Sequence, residues 1–308
     1  MITTLCLNPA IDREVQVNAF AMGATNRILV EHSQGAGKGV HVAIVASRLG
    51  MAARCVGLLA QGYGQLILDR LARDGVEGAF VSAPGDTRVN IKIQDVATRT
   101  VTELNEPGVP VTEDQLLHVR RAVTESAARS DFLVLTGSLP PGCPPDFYNL
   151  LIEDAGPSCR CVVDVAGDQL LGNIRAKPYL VKPNLQELQQ SAGRPLKTLR
   201  DIRDQALSLV EAGASVVAVS MGAEGAMITN GKLTLFAPGM SVPVHSTVGA
   251  GDSMVAGLLR GLREGGNLKN ALRCGVAAAT ATVADTREGL MQYAAYEDFY
   301  QRVKVGAV

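Results

Sequence analysis

The strongest chemical signal in the sequence is Ser246-Thr247-Val248-Gly249-Ala250-Gly251-Asp252-Ser253. It lies between a β-like run and an apolar stripe through Met254, Val255, Leu258, Leu259 and Leu262, whose spacing predicts a helix starting near Asp252. Gly249, Ala250 and Gly251 carry nothing larger than a methyl, so their backbone N–H groups can face an anion at a helix N-terminus, where the helix dipole also favours negative charge. Asp252 on the lip adds a carboxylate that can accept a proton. An anion hole beside a base suits phosphoryl transfer to a hydroxyl. Taken by themselves, the same residues also suit a plain turn followed by a capping Asp.

A second glycine run, Gly35-Ala36-Gly37-Lys38-Gly39, imitates two nucleotide motifs and fits neither. It has no Ser or Thr after the Lys, and His32 stands where a Walker A loop needs its first Gly. Val40 occupies the third position of a dinucleotide fingerprint, which removes the main support for a dehydrogenase. Asn184 and Glu187 have the spacing of a helix cap, Asn first and Glu three residues on. The spacing serves a helix start and a ligand site equally well.

Short β-rich runs alternate with amphipathic stretches along most of the chain, the signature of a parallel sheet flanked by helices. The alternation breaks at Arg88 to Asp95 and Thr100 to Leu104, two β-type runs with no helix between them, which predict a hairpin. Thr112 and Gln115 can cap a helix reciprocally, and Asn230-Gly231 is a strong two-residue hairpin signal. The small residues from Leu272 to Ala284 permit close approach of a flat ligand or another helix. With no internal repeat and no Pro/Ser-rich linker, the expectation is one main α/β domain over residues 1–308 that carries a small β excursion.

With 47% hydrophobic and 19% charged residues, the 308-residue chain can bury a sizeable core. Lys plus Arg number 29 against 30 Asp plus Glu, a net charge of −1, so the chain lacks the positive field that nucleic-acid binding requires. The six cysteines are scattered, and none forms a second pair at zinc-site spacing, so reduced, packed thiols are expected. Met1 to Leu7 has no basic leader region, and no uncharged apolar run reaches the roughly 18 residues of a membrane span. A cytoplasmic protein without a membrane partner is expected.

Ser246 to Ser253 resembles the C-terminal signature of the ribokinase-like (PfkB-type) carbohydrate kinases, and Gly35 to Gly39 resembles their N-terminal diglycine signature. Leu7-Asn8-Pro9-Ala10-Ile11-Asp12, Thr87-Arg88-Val89-Asn90, Ser138-Leu139-Pro140-Pro141-Gly142, Val181-Lys182-Pro183-Asn184 with Glu187, and Ser220-Met221-Gly222-Ala223-Glu224-Gly225 follow in the order of that family's hexose-phosphate branch. The resemblance implies a three-layer α/β fold: a mostly parallel sheet of about nine strands flanked by helices, with a β lid near 12–30 and 85–105. It implies ATP as phosphoryl donor, magnesium, and in some members a monovalent cation such as potassium near Ser246, Val248 and Asp285. Asp252 would be the base, with the amides of Gly249, Ala250 and Gly251 on the transferring phosphate. Asn184 and Glu187 would order the magnesium largely through water, as suits a strongly hydrated cation. Lys182, Asn184, Ser220, Gly222, Gly225 and Thr247 would line the nucleotide, with Val276 and Thr280 beside the adenine.

On the acceptor side the resemblance assigns Asp12, Gly37, Lys38, Gly39, His41, Asn90 and Ser138 to the sugar. Arg27 and Arg88 would meet its existing phosphate, although an Arg on a strand also suits a solvated face. His41 departs from the Asn usual in these kinases, which leaves the sugar open. Glu103-Leu104-Asn105 is closer to the 1-phosphofructokinase and tagatose-6-phosphate kinase subgroup than to 6-phosphofructokinases. The first expectation is fructose 1-phosphate going to fructose 1,6-bisphosphate, with tagatose 6-phosphate or fructose 6-phosphate next. A neutral-sugar or nucleoside kinase and a non-catalytic sugar-phosphate-binding protein are the more distant alternatives. A homodimer paired through the β lid is also implied.

Overall fold

The fold was determined as a computed structural model that describes residues 1–165, 167–285 and 290–308, with 167 and 168 described by backbone alone. The first strand, β1 (Ile2–Cys6), is buried along its whole length, as a strand covered on both faces must be. The chain then leaves the main sheet for β2 (Ala10–Val17) and β3 (Val30–Ala36), and returns through α1 (Lys38–Arg48) to β4 (Ala53–Gly62), α2 (Gly64–Arg73) and β5 (Glu77–Asp86). A second excursion, β6 (Arg88–Asp95) and β7 (Thr100–Asn105), is the antiparallel hairpin that the missing helix signalled. Six elements rebuild the main sheet and its cover: α3 (Glu113–Ala127), β8 (Phe132–Thr136), α4 (Phe147–Ala155), β9 (Arg160–Asp164), α5 (Gly167–Ile174) and β10 (Leu180–Val181). The chain continues through α6 (Leu185–Ala192), α7 (Leu199–Glu211), β11 (Val216–Ser220), β12 (Gly225–Thr229) and β13 (Thr234–Pro238). It ends with α8 (Ala250–Gly265), α9 (Leu268–Val283), α10 (Tyr293–Arg302) and β14 (Gly306–Ala307).

The main sheet has ten strands in the order β14-β13-β12-β11-β10-β9-β8-β1-β4-β5, parallel from β11 to β5 and antiparallel at the other edge. Two apolar clusters cover its faces. One gathers α1, α2, α8, α9 and α10, and the other α3 to α7, which makes three layers. The lid is a separate four-stranded sheet, β3-β2-β6-β7.

Local chemistry explains several boundaries. The predicted capping box closes on α3, where Gln115 N donates to Thr112 Oγ1 and Thr112 N to Gln115 Oε1. Asn230 Oδ1 accepts from the amides of Lys232 and Leu233 and so forms the β12–β13 turn, with Gly231 at φ 84°. Helices α8 and α9 meet closely because their contact residues are small: a Cβ at Gly257 would fall 2.4 Å from the carbonyl oxygen of Cys274.

Two features differ from expectation. The main sheet has ten strands instead of about nine, because the short β14 adds an edge. The segment Glu77–Asp86 belongs to the main sheet up to Asp86, so the second lid excursion begins at Arg88. As a half-exposed edge strand it lacks the continuous apolar run of its neighbours. All six cysteines are free, and among the described residues no helix is long and apolar enough to cross a membrane.

Candidate active site

Strand order reverses at β1, which is flanked by β4 on one side and β8 on the other, and the cleft opens at the C-terminal ends of the parallel strands, where such a reversal leaves a crevice. Its volume is about 1220 Å³. That exceeds the roughly 300–1,000 Å³ that hold one small ligand, so two can sit end to end. The lid contributes Asp12, Arg88 and Asn90, the start of α1 contributes Gly37, Lys38 and His41, and the far end holds Val276 and Thr280.

At the centre, Gly249 stands at φ 75° and begins α8 without any side-chain cap; the N–H of Ala250 donates to Thr247 O, and those of Gly251 and Asp252 are left for a ligand. The left-handed backbone here is the reason for a glycine. Lys182 sits beside the turn, 3.6 Å from where a Cβ on Gly251 would be. Asp252 follows in the first helical turn and is 6% exposed. Its Oδ2 lies 3.0 Å from Nδ1 of His41, itself 6% exposed.

Asp164, at the end of β9, joins the two halves of the cleft. Its Oδ1 lies 3.0 Å from Lys182 Nζ and its Oδ2 3.5 Å from Lys38 Nζ, while Thr136 donates to it as well. Burial would raise this carboxyl, but the two ammonium groups outweigh burial and hold it below the usual carboxylate value. In return Asp164 raises Lys38 against the opposing effect of burial.

At the lid end, Asp12 on β2 accepts from Lys92 Nζ at 2.9 Å and from Asn90 Nδ2 at 3.0 Å. Burial pushes the Asp12 carboxyl up, and Lys92 with Asn90 brings it below its ordinary value. The guanidinium of Arg88 donates to the carbonyl oxygens of Asn8 and Glu106 and to Asn90 Oδ1, which orients it across the floor of the lid. Desolvation lowers its pKa, the mark of a cation partly removed from water.

Asn184 and Glu187 form a reciprocal cap, Asn184 Oδ1 accepting from Glu187 N and Glu187 Oε2 from Asn184 N, each at 2.8 Å. One oxygen of Glu187 remains for the cleft, which that residue lines. Among the described residues no cluster of three or more acidic, His or Cys groups could cage a metal ion. The donor set therefore fits a magnesium that keeps most of its water and its phosphate ligands. Ser246 Oγ accepts from Val248 N in the turn before α8, and Asp285 closes the turn after α9.

Ser220, Gly222, Gly225, Thr247, Val276 and Thr280 all line the cleft with Lys182 and Asn184. Three residues expected at the sugar do not. Arg27 is exposed on the β2–β3 connection. Gly39 is buried within the first turn of α1, where a Cβ would fall 2.2 Å from the carbonyl oxygen of Leu5, so its missing side chain is required by helix–strand packing. Ser138 is exposed and accepts from Asn8 Nδ2 outside the cleft. Sequence reasoning missed Lys92 and Asp164. Lys92 was legible as the third member of an alternating Arg88, Asn90, Lys92 face. Asp164 was legible as a charge ending a buried apolar strand.

Residues 8–291 match the model of the pfkB family carbohydrate kinases. The chain belongs to this family. It is accordingly an ATP-dependent sugar kinase. It is 33% identical to a 1-phosphofructokinase of Vibrio cholerae over 100% of this chain and 97% of that protein. It is 37% identical to one of Rhodobacter capsulatus over 90% and 88%. The solved phosphofructokinase-2 of Escherichia coli in complex with substrates and products superposes with a TM-score of 0.90 at 30% identity, covering 98% of each chain.

Proposed function

We propose that this kinase phosphorylates a ketohexose phosphate and that its substrate is fructose 1-phosphate, giving fructose 1,6-bisphosphate. The observation that carries this reading is the Asp252 carboxylate at the mouth of the uncapped α8 turn, in one cleft with the half-buried Arg88. Asp252 takes the proton of the acceptor hydroxyl, while the amides of Gly249 and Gly251, with that of Ala250 once it leaves Thr247 O, and the ammonium of Lys182 stabilise charge on the phosphoryl group in flight. Because the transition state is loose, in-line positioning matters more than base strength. Arg88 meets the phosphate the substrate already carries. Asp12, held ionised by Lys92, accepts from sugar hydroxyls.

Magnesium entering with the nucleotide would neutralise phosphate charge, and Asn184 and Glu187 would hold it, largely through water. Lys38 and Lys182, paired through Asp164, keep positive charge along the line between the two substrates without leaving either ammonium uncompensated. Relatives of 31–37% identity named 1-phosphofructokinase support the choice of sugar phosphate.

The test is ADP release with ATP and a panel of fructose 1-phosphate, fructose 6-phosphate, tagatose 6-phosphate and fructose. The highest kcat/KM is expected with fructose 1-phosphate. A preference for tagatose 6-phosphate or fructose 6-phosphate moves the assignment to that sugar, a preference for fructose removes the role of Arg88, and silence throughout turns the reading to a binding protein. A homodimer through the lid is part of the proposal, supported by Ile28, Leu29, Val101 and Leu104, which the lid leaves exposed. Light scattering at micromolar concentration should report two chains, and a monomer would contradict it.

A further inference from the structure

We propose that His41 is a positioning residue for Asp252, fixing which carboxylate oxygen receives the proton; this rests on the reading of Asp252 as the base. His41 stands in the first turn of α1 and Asp252 in the first turn of α8, and the two buried side chains meet with Nδ1 3.0 Å from Oδ2. No other hydrogen bond reaches either carboxylate oxygen of Asp252 among the described residues. The terminal torsion of an Asp is broad, so without a partner the two oxygens would exchange places in front of the substrate. With the proton on Nδ1, the imidazole donates to Oδ2, and only Oδ1 is left to face the acceptor hydroxyl. The same tautomer makes Nε2 an acceptor, on a residue that lines the cleft.

His41 takes no proton in this scheme. The hydroxyl O–H bond breaks toward Oδ1, the O–P bond forms as the bond from phosphorus to the leaving diphosphate oxygen breaks, and the electron pair leaves with ADP. His41 is thereby distinguished from a residue that merely fills space under the cleft. An Asn at this position carries its amide nitrogen at the same bond separation from Cα as Nδ1, whereas a Gln carries it at the level of Nε2. The two amides therefore separate the link to Asp252 from a contact to the sugar.

The experiment compares His41→Asn, His41→Gln and His41→Leu in the full chain, reading kcat, KM for ATP and KM for fructose 1-phosphate by ADP release, with thermal midpoints alongside. His41→Asn should keep kcat within about fivefold of the unmodified enzyme, while His41→Gln and His41→Leu should lose about a hundredfold, the cost of a misplaced reacting group, with KM for ATP unchanged. Full kcat in the Gln variant, or an Asn variant as slow as the Leu variant, would overturn the proposal. If the Leu variant does not fold, the contrast between Asn and Gln still decides. Asp252→Asn measured in parallel keeps the two readings apart: a silent Asp252→Asn with an unimpaired His41→Gln removes His41 alone, whereas an active Asp252→Asn removes the base itself.

Discussion

At the α8 end of the cleft the groups on offer to a ligand are backbone amides, set by Gly249 at φ 75° and backed by a helix whose inner face is fully buried. At the lid end they are long side chains, Lys92, Arg88 and Asn90, which hold one another and Asp12 in place on a four-stranded sheet with exposed apolar residues. Backbone geometry is hard to alter one group at a time, and in the proposed function it serves the phosphoryl group common to every reaction of this kind. Side-chain geometry can be altered residue by residue, and in the proposed function it faces the ligand that varies. If the proposed function is right, chemistry and selectivity reside in separable parts of one cleft.

The separation can be broken from either side. Gly251→Val fills the anion hole beside Lys182 with bulk, and it should lower kcat by about a hundredfold or more, the scale of a lost oxyanion donor, while leaving the choice among sugars unchanged. A shifted sugar preference in ADP-release assays would show that the two ends are not separable. Arg88→Ala should do the opposite and raise KM for fructose 1-phosphate about 10- to 100-fold, as for a lost charge-assisted bond of about 1.5–3 kcal/mol, with kcat nearly kept. An unchanged KM would point to a neutral sugar.

Legibility in the sequence followed the same division. Gly249-Ala250-Gly251-Asp252, the Thr112 cap, the Asn230-Gly231 turn and the Arg88–Asp95 hairpin were readable because each is local: a few adjacent residues dictate a backbone shape. The pairings that complete the site were not readable. Lys92 with Asp12, Lys38 and Lys182 with Asp164, and His41 with Asp252 join positions far apart in the chain, and only the sheet order brings them together. At Gly39 the sequence could not separate the two demands, because a glycine required by packing against Leu5 looks the same as one required by a ligand.

Smaller effects sharpen the picture of the lid. Lys92→Met leaves the Asp12 carboxylate buried beside Asn90 alone, a loss of about 3–5 kcal/mol if the cost is that of breaking a buried pair. Adding Asp12→Asn to the same variant should recover part of the denaturation midpoint, and no recovery would mean that Lys92 acts by packing. The carboxyls of Asp12 and Asp164 both lie below their ordinary value of 3.8 in the folded protein. A depressed carboxyl contributes stability above its unfolded value and loses it as pH falls through the folded one. The melting temperature should therefore drop below about pH 4, and the Asp12→Asn, Asp164→Asn double variant should show a shallower drop. Equal slopes would refute that assignment.

The most direct test of the phosphoryl-transfer account is the turnover of Asp252→Asn with saturating ATP and fructose 1-phosphate, alongside ATP binding by calorimetry. Loss of a positioned base predicts a kcat lower by about 10²–10⁴-fold with ATP affinity unchanged. A variant that turns over within a few-fold of the unmodified enzyme would contradict it.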